Sequence, residues 1–315
     1  MLKSIVDPGI RVRLVSYTVD GERLVAASSK VSLSRKPIED ILSISEGEVE
    51  EWIRETYKRM HFSPWEHSVY TYIVDGLSRV ASHQLVRHRI ASYTQQSHRY
   101  TEGYLRDMAL EASRLTGREC PAKPKGQSAE AYRCYSRALM EASEALGDGE
   151  AIKVGWRAYV PPPRIARRGL LGDYYRSLIR ATGEYYRLLS MGVAREDARL
   201  LIPHAVRTRI VVTMNARELV QSFLPLRMCT KAQWEIRHIA WSLWRELVRV
   251  HPRLFKWAGP SCVYRENTSR ASPAPLRDYL DGRASFTVPR CPEGVEKPGI
   301  PACLRAADPM GSNGS

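Results

Sequence analysis

Only three stretches of this chain read as β-strand, and they stand far apart among amphipathic helical segments, so a regular βαβ repeat is excluded. Residues 10–17 alternate apolar and charged side chains, as a half-buried strand does. Residues 69–74 (VYTYIV) are β-branched and aromatic and meet a stop signal at Asp75-Gly76, and residues 207–214 (RTRIVVTM) form a third such run. Helical spacing governs residues 49–60, where Trp52, Ile53, Tyr57 and Met60 share one side, and again 77–86, 174–191, 196–201, 216–223 and 232–250. No internal repeat is found. The expectation is an α+β fold, a mixed sheet with packed helices, in a single main domain over residues 1–257.

Two segments fall outside that pattern. Residues 103–157 carry helical patterns at 106–115 and 129–146 around a Pro/Gly/Lys-rich loop at 120–126, which reads as an inserted helical hairpin closed by Pro161-Pro162-Pro163. After Trp257 the chain is rich in Pro, Gly, Arg and Ser, and residues 258–315 are expected to be an irregular C-terminal extension.

A net charge of +14 points to anionic partners. Nucleic acid and phosphorylated small molecules both qualify, and charge alone does not choose between them. No stretch is long and apolar enough to span a bilayer, and residues 1–8 lack the apolar run of a secretory signal, so a cytoplasmic location with no membrane partner is expected. The six cysteines form no C-x-x-C pair, so neither a structural zinc nor any other metal is expected. Cytosolic cysteines are normally free thiols, although Cys291 and Cys303 could tie off the tail.

The densest chemical signal runs from Gln84 to Tyr100 (QLVRHRIASYTQQSHRY). Arg87, His88 and Arg89 sit at an expected helix end, followed by Ser92, Gln95, Gln96, Ser97, His98 and Arg99. Guanidinium forks bind phosphate oxygens bidentately, hydroxyls complete the shell, and neutral amides add directional bonds to a base or ribose. A solvated basic loop touching nucleic acid is the plain alternative.

The order Arg-His-Arg, seven residues, Ser, x, Arg-Tyr resembles the signature of flavin-dependent thymidylate synthases. So do His61-Phe62-Ser63-Pro64-Trp65-Glu66-His67 and Lys30-Val31-Ser32 upstream, and 192–203, Asn215-Ala216-Arg217, Leu226-Arg227 and 232–236 downstream, in the family's order. The resemblance covers about residues 1–102 and 158–250 and leaves out the insertion and the tail. It implies reductive methylation of dUMP to dTMP, with methylenetetrahydrofolate as carbon donor and FAD reduced by NADPH. It also implies a homotetramer with shared active sites and no nucleic-acid partner.

By that resemblance Arg87, His88, Arg89 and Ser63 contact FAD, with Asn215, Arg217 and Gln221 on its adenosine or pyrophosphate. His61 lies near the flavin, with Tyr100, where a pterin could stack. Gln84, Arg87, Gln96, Ser97, His98, Arg99 and Arg199 line the dUMP site, and Gln95 serves FAD or dUMP. Arg227 corresponds to the catalytic arginine that polarises the uracil, because a fixed cation stabilises negative charge developing on the ring.

Competing roles are weaker. His61, Glu66 and His67 show neither zincin spacing nor a third ligand. Ser97 suits phosphate donation better than nucleophilic attack. Cys229 stands two residues past Arg227 but in no thymidylate-synthase cysteine motif, and reads as packing. Two departures from the family stand out. Thr94-Gln95 replaces the usual Asn-Glu, and the stretch 221–227 is one residue long, so that either Gln221 or Ser222 contacts FAD and Pro225 is expected to absorb the extra residue. The rivals are a basic nucleic-acid-binding protein and a flavoprotein that methylates another uracil-containing substrate.

Overall fold

The computed structural model describes residues 9–122 and 128–309; residues 1–8 and most of the loop expected at 120–126 lie outside that set. The described chain is helix-rich with one small antiparallel sheet, as the α+β expectation required. Its strands are β1 (Arg11–Tyr17), β2 (Val69–Ser78), β3 (Ala91–Gln95) and β4 (Arg207–Asn215), in the order β1-β2-β4-β3. β3 was not foreseen, because Ala-Ser-Tyr-Thr-Gln carries no apolar run.

Contacts divide the chain into two compact units. The larger comprises Arg11–Val74, His83–Thr94 and residues 210–309, and the smaller comprises residues 9–10, Asp75–Ser82 and Gln95–Arg209.

In the larger unit, the helix Glu46–Lys58 starts at a capping box: Ser45 Oγ accepts from Glu48 N, and Glu48 Oε2 accepts from Ser45 N at 3.0 Å. That signal was present in the sequence as Ser45-x-x-Glu48. Tyr57 on the buried face meets Phe62, Trp65, Trp257 and Tyr264 edge-on or tilted, with centroids 5.4–6.4 Å apart. Trp65 is fully buried and its Nε1–H donates to Thr56 Oγ1 at 3.0 Å, which meets the rule that a buried indole finds an acceptor.

Tyr264 belongs to the region after Trp257 that was expected to be irregular, and that expectation is corrected. Helices Ser261–Ser269, Leu276–Leu280 and Ile300–Ala307 order it. The order comes from buried side chains that bond to backbone. Fully buried Glu266 accepts from Thr287 N at 2.9 Å, Val288 N at 3.0 Å and Thr287 Oγ1 at 2.7 Å. Buried Asn267 bonds the carbonyls of Trp257 and Ala274 and the amide of Ala274. Such bonds leave no hydrophobic period to read.

In the smaller unit, helices Gly103–Leu115, Ala129–Ala145, Asp148–Trp156 and Leu171–Ser190 enclose a core rich in tyrosine, including Tyr132, Tyr135, Tyr175, Tyr185 and Tyr186. The segment 103–157 therefore holds three helices where two were expected. Helix Asp148–Trp156 approaches Tyr175 so closely that a Cβ on Gly155 would sit 2.1 Å from its ring. Asp75-Gly76 does not stop β2. Gly76 takes φ +80° inside the strand, and a Cβ there would lie 2.3 Å from the Gly9 carbonyl oxygen. Cys120 and Cys134 are joined in a disulfide, correcting the free-thiol expectation. Cys291 and Cys303 are not joined.

Candidate active site

One cluster forms in the larger unit. The helix expected at 77–86 runs from Arg79 to Leu85, since β2 takes its first two residues, and a turn carries the chain into Arg87-His88-Arg89. Tyr93 of β3 pins this turn, its hydroxyl lying 2.9 Å from the Leu85 carbonyl oxygen and 2.6 Å from that of His88. Arg87 and Arg89 are exposed, and no carboxylate partners them among the described residues. His88 is buried and turned inward.

Arg227 Nε donates to His88 Nε2 at 2.9 Å. A ring nitrogen that accepts an N–H carries no proton, so the proton of this imidazole sits on Nδ1 and the ring is neutral. Nδ1 lies 2.8 Å from Glu218 Oε1 and 3.2 Å from Ser222 Oγ. The result is a buried relay, Glu218 to His88 to Arg227, in which each bond fixes the orientation of the next side chain. Burial pushes the Arg227 guanidinium below its ordinary pKa, with Tyr93 working in the opposite direction. The Gln84 carbonyl lies 3.5 Å from the Arg227 Nη2. Glu218 was missed in the sequence because a lone glutamate on a helix carries no motif.

Glu218, Ser222 and Arg227 share one helical stretch of unusual form. Ala216–Glu218 is α-helical, Leu219–Phe223 makes a π turn, and Leu224–Arg227 returns to α. The π turn lies before Pro225 and is where an extra residue in this stretch would be accommodated, because one inserted residue in an α-helix widens one turn. Ser222 faces His88, while Gln221 Oε1 accepts from Arg217 Nε at 2.9 Å. Arg217 also pairs with Glu66 at 2.5 Å. Asn215 caps the stretch, its Oδ1 accepting from Glu218 N at 2.8 Å.

Two sequence blocks separated by a helix meet in the same unit. Ser29, Ser32, Trp52, His61 and Ser63 line one cavity of about 540 Å³.

A second cluster forms within the smaller unit. Both ring nitrogens of His98 and the Gln96 Oε1 are buried without a hydrogen-bond partner. Burial pushes the His98 pKa down to about 4, and the cations Arg79 and Arg199 add to the shift. Arg79 is itself lowered by burial and then by Arg199. Arg79 and Arg199 are neighbouring guanidiniums, Arg79 meets no carboxylate among the described residues, and beside them His98 offers one N–H, so the group attracts an anion, while Gln96 Oε1 is left as a free acceptor. Arg79 was not singled out in the sequence, since it lies ahead of the motif. Nearby, Arg99 Nη2 reaches Glu196 at 3.4 Å, Ser97 Oγ accepts from Arg99 N at 3.2 Å, and Gln95 Nε2 donates to Thr208 Oγ1 at 3.3 Å. The sequence-selected residues thus gather in two groups: Gln84, Arg87, His88, Arg89 and Arg227, with Asn215, Arg217 and Gln221, in one unit, and Gln95, Gln96, Ser97, His98, Arg99 and Arg199 in the other.

The family model described as "Thymidylate synthase complementing protein" matches residues 13–253. A flavin-dependent thymidylate synthase from Aeropyrum pernix is 63% identical over 303 residues, covering 95% of this chain and 93% of its own. The chain belongs to the flavin-dependent thymidylate synthase family. A relative of that name from Sulfolobus acidocaldarius is 42% identical, with 95% of each chain covered. Among solved structures, a flavin-dependent thymidylate synthase from Helicobacter pylori, complexed with FAD and dUMP, matches with TM-score 0.56 and 22% identity over 79% of this chain and 99% of its own, a likeness of fold. A UMP/dUMP methylase from Streptomyces cacaoi bound to 5-Br dUMP matches with TM-score 0.53 and 26% identity, over 78% of this chain and 93% of its own. The π turn, the buried relay and the orphaned His98 are features of this flavin-dependent thymidylate synthase family member that no motif announces.

Proposed function

We propose that this chain methylates dUMP to dTMP, taking its carbon from methylenetetrahydrofolate and its electrons from NADPH through FAD. The observation that carries this reading is the group in the smaller unit formed by Arg79, Arg199, His98 and Gln96. Its like charges and unpartnered buried atoms suit the phosphate and polar edges of a nucleotide. Ser97 and Arg99 add a hydroxyl and a third guanidinium from the same motif.

For FAD the donor set is suitable. Arg87 and Arg89 offer forks for a pyrophosphate, and Ser63, Asn215 and Gln221 offer hydroxyl and amide groups for ribose and adenine. Arg217 can join them on exchanging its bond to Glu66. His61 and Ser63 open onto the 540 Å³ cavity, which has room for one arm of such a cofactor. When bound, the flavin supplies the hydride chemistry.

The protein's part is positioning and electrostatics. By the family resemblance Arg227 would supply a fixed cation for the pyrimidine; its Nε is committed to His88, which leaves the outer guanidinium nitrogens to serve a ligand. His88 serves as a positioning residue, since both its nitrogens are spent inside the protein. The family match ends at residue 253, which supports taking 258–315 as an extension beyond the family domain. Exposed Val86, Ile90 and Leu226 in one unit, and Tyr100 and Leu200 in the other, support burial on assembly into a homotetramer. No described helix is long and apolar enough to cross a membrane, and nucleotide and folate substrates support a cytoplasmic location.

The test is tritium release from [5-³H]dUMP by the purified holoenzyme. Release that requires FAD, NADPH and methylenetetrahydrofolate together supports the reading. Release from [5-³H]UMP and not from dUMP would replace it with the ribonucleotide, and no release from a flavin-bearing protein would overturn it.

A further inference from the structure

The four cysteines outside the disulfide come from four separate segments of the larger unit, yet all of them line one cavity. Cys229 follows the helix Leu224–Arg227, Cys262 opens the helix Ser261–Ser269, Cys291 stands in a tight turn, and Cys303 lies in the helix Ile300–Ala307. The cavity is small, about 20 Å³, close to the least space that holds one water. Cys120 and Cys134 are bonded to each other, whereas no two of these four are, so they line one cavity without pairing.

We propose that Cys229, Cys262, Cys291 and Cys303 form a tetrathiolate site for one Zn²⁺ ion that fastens the C-terminal extension to the body of the larger unit. Four thiols from four separate segments supply the Cys₄ donor set of closed structural zinc, for which a position left open to substrate is not needed.

Three features around the sulfurs point the same way. The Cys291-Pro292-Glu293-Gly294 turn closes with Gly294 N donating to the Cys291 carbonyl at 3.0 Å and Val295 N donating to Cys291 Sγ at 3.2 Å. A backbone N–H directed at sulfur stabilises a thiolate more than a thiol. The turn depends on Gly294 at φ +87°. Thr230 Oγ1 lies 3.2 Å from Cys303 Sγ. Arg237 stands beside Cys229 with its Nε buried and unpartnered, and among the described residues it meets no carboxylate. Lys231 and Glu293 also border the cavity.

The charges balance on binding. Four S–H bonds break, four Zn–S bonds form, and four protons leave to solvent with no electron transferred. The cluster then carries a net charge of two minus, which Arg237 and Lys231 offset. Among the described residues no three such side chains stand at coordination distances, so binding has to draw the sulfurs to edges of ~3.8 Å, the separation set by Zn–S bonds of ~2.3 Å.

The test begins with metal analysis of the full chain purified under reducing conditions without chelator. About one zinc per chain is expected. Protein stripped of metal should take up one equivalent of Co²⁺ and develop the thiolate-to-cobalt charge-transfer absorption of a tetrahedral site. Cys291→Ser and Cys303→Ser should each lower zinc content at least tenfold and leave bound FAD unchanged. If a variant fails to fold, the zinc content and cobalt spectrum of the unaltered chain still decide the matter. Metal-free protein that takes up no cobalt, peptide mapping that finds these cysteines in disulfides, or an iron–sulfur chromophore would each overturn the proposal. None of these readouts depends on methylation, so failure here would leave the proposed function standing.

Discussion

Replacing Glu218 with glutamine tests whether the buried relay sets Arg227 in place. His88 and Glu218 have side-chain exposures of 3% and 7%, so the Nδ1–H to carboxylate bond is little screened by water. A hydrogen bond to a charged acceptor contributes ~1.5–3 kcal/mol and a neutral one ~0.5–1.5 kcal/mol, so Glu218→Gln should cost about 1–1.5 kcal/mol of orientation. That corresponds to a fall in kcat of roughly tenfold, with KM for dUMP and bound FAD close to unchanged. Arg227→Lys keeps the charge but loses the Nε that donates to His88, and should lower kcat by ~10²-fold. The decisive measurement is the double variant in single-turnover tritium release. If Glu218 acts through Arg227, adding Glu218→Gln to Arg227→Lys should change kcat by less than about twofold. Full additivity of the two effects, or a change confined to KM, would refute the relay.

Three other expectations can be checked directly. Arg79→Ala should weaken dUMP binding by roughly tenfold or more in calorimetry while leaving FAD content intact, because Arg79 and Arg199 repel each other until an anion lies between them; unchanged affinity would remove Arg79 from the site. His98 has a folded pKa of about 4, below its unfolded ~6.5, so the unfolded chain binds more protons in that interval and stability falls as pH drops from ~6.5 to ~4. His98→Gln should flatten this part of the melting-temperature profile, and an unchanged slope would show that another group titrates there. Cys134→Ser opens a disulfide with a sequence separation of 14, a loop for which chain entropy is worth ~3 kcal/mol, so the variant should melt several degrees lower; an equal melting temperature in non-reducing buffer would show that the bond adds nothing.

Much of the fold was legible where burial imposes a period. The helix at Glu46–Lys58 and strands β1 and β4 emerged from their apolar faces, and the arginine-rich block gathered most of the two site clusters. The failures have specific causes. Strand β3 is polar because its neighbour β4, rather than an apolar layer, specifies it. Asp75-Gly76 looked like a turn, but Gly76 is required by the close approach of the Gly9 carbonyl. The tail is organised by Glu266 and Asn267 bonding to backbone, an order without amphipathic signature. Arg79 and Glu218 acquire meaning only from His98 and His88, residues distant in sequence. The four cysteines were dismissed for lack of C-x-x-C spacing, a rule about neighbours in the chain that says nothing of four segments meeting at one cavity.

The π turn at Leu219–Phe223 has a consequence for how Arg227 is aimed. Along a plain α-helix each residue advances by about 100°, so positions 218 and 227 would end about 180° apart and could not address one histidine. With one residue absorbed in the wide turn, the same two positions are separated as if by eight steps, about 80°, and Glu218 and Arg227 come round to the side occupied by His88. The wide turn works as a phase correction in a screw. Removing one residue between 219 and 223 would restore a plain α-helix with the same eight steps and keep the relay in phase, whereas tightening the wide turn to α with all its residues kept would swing the two ends out of step.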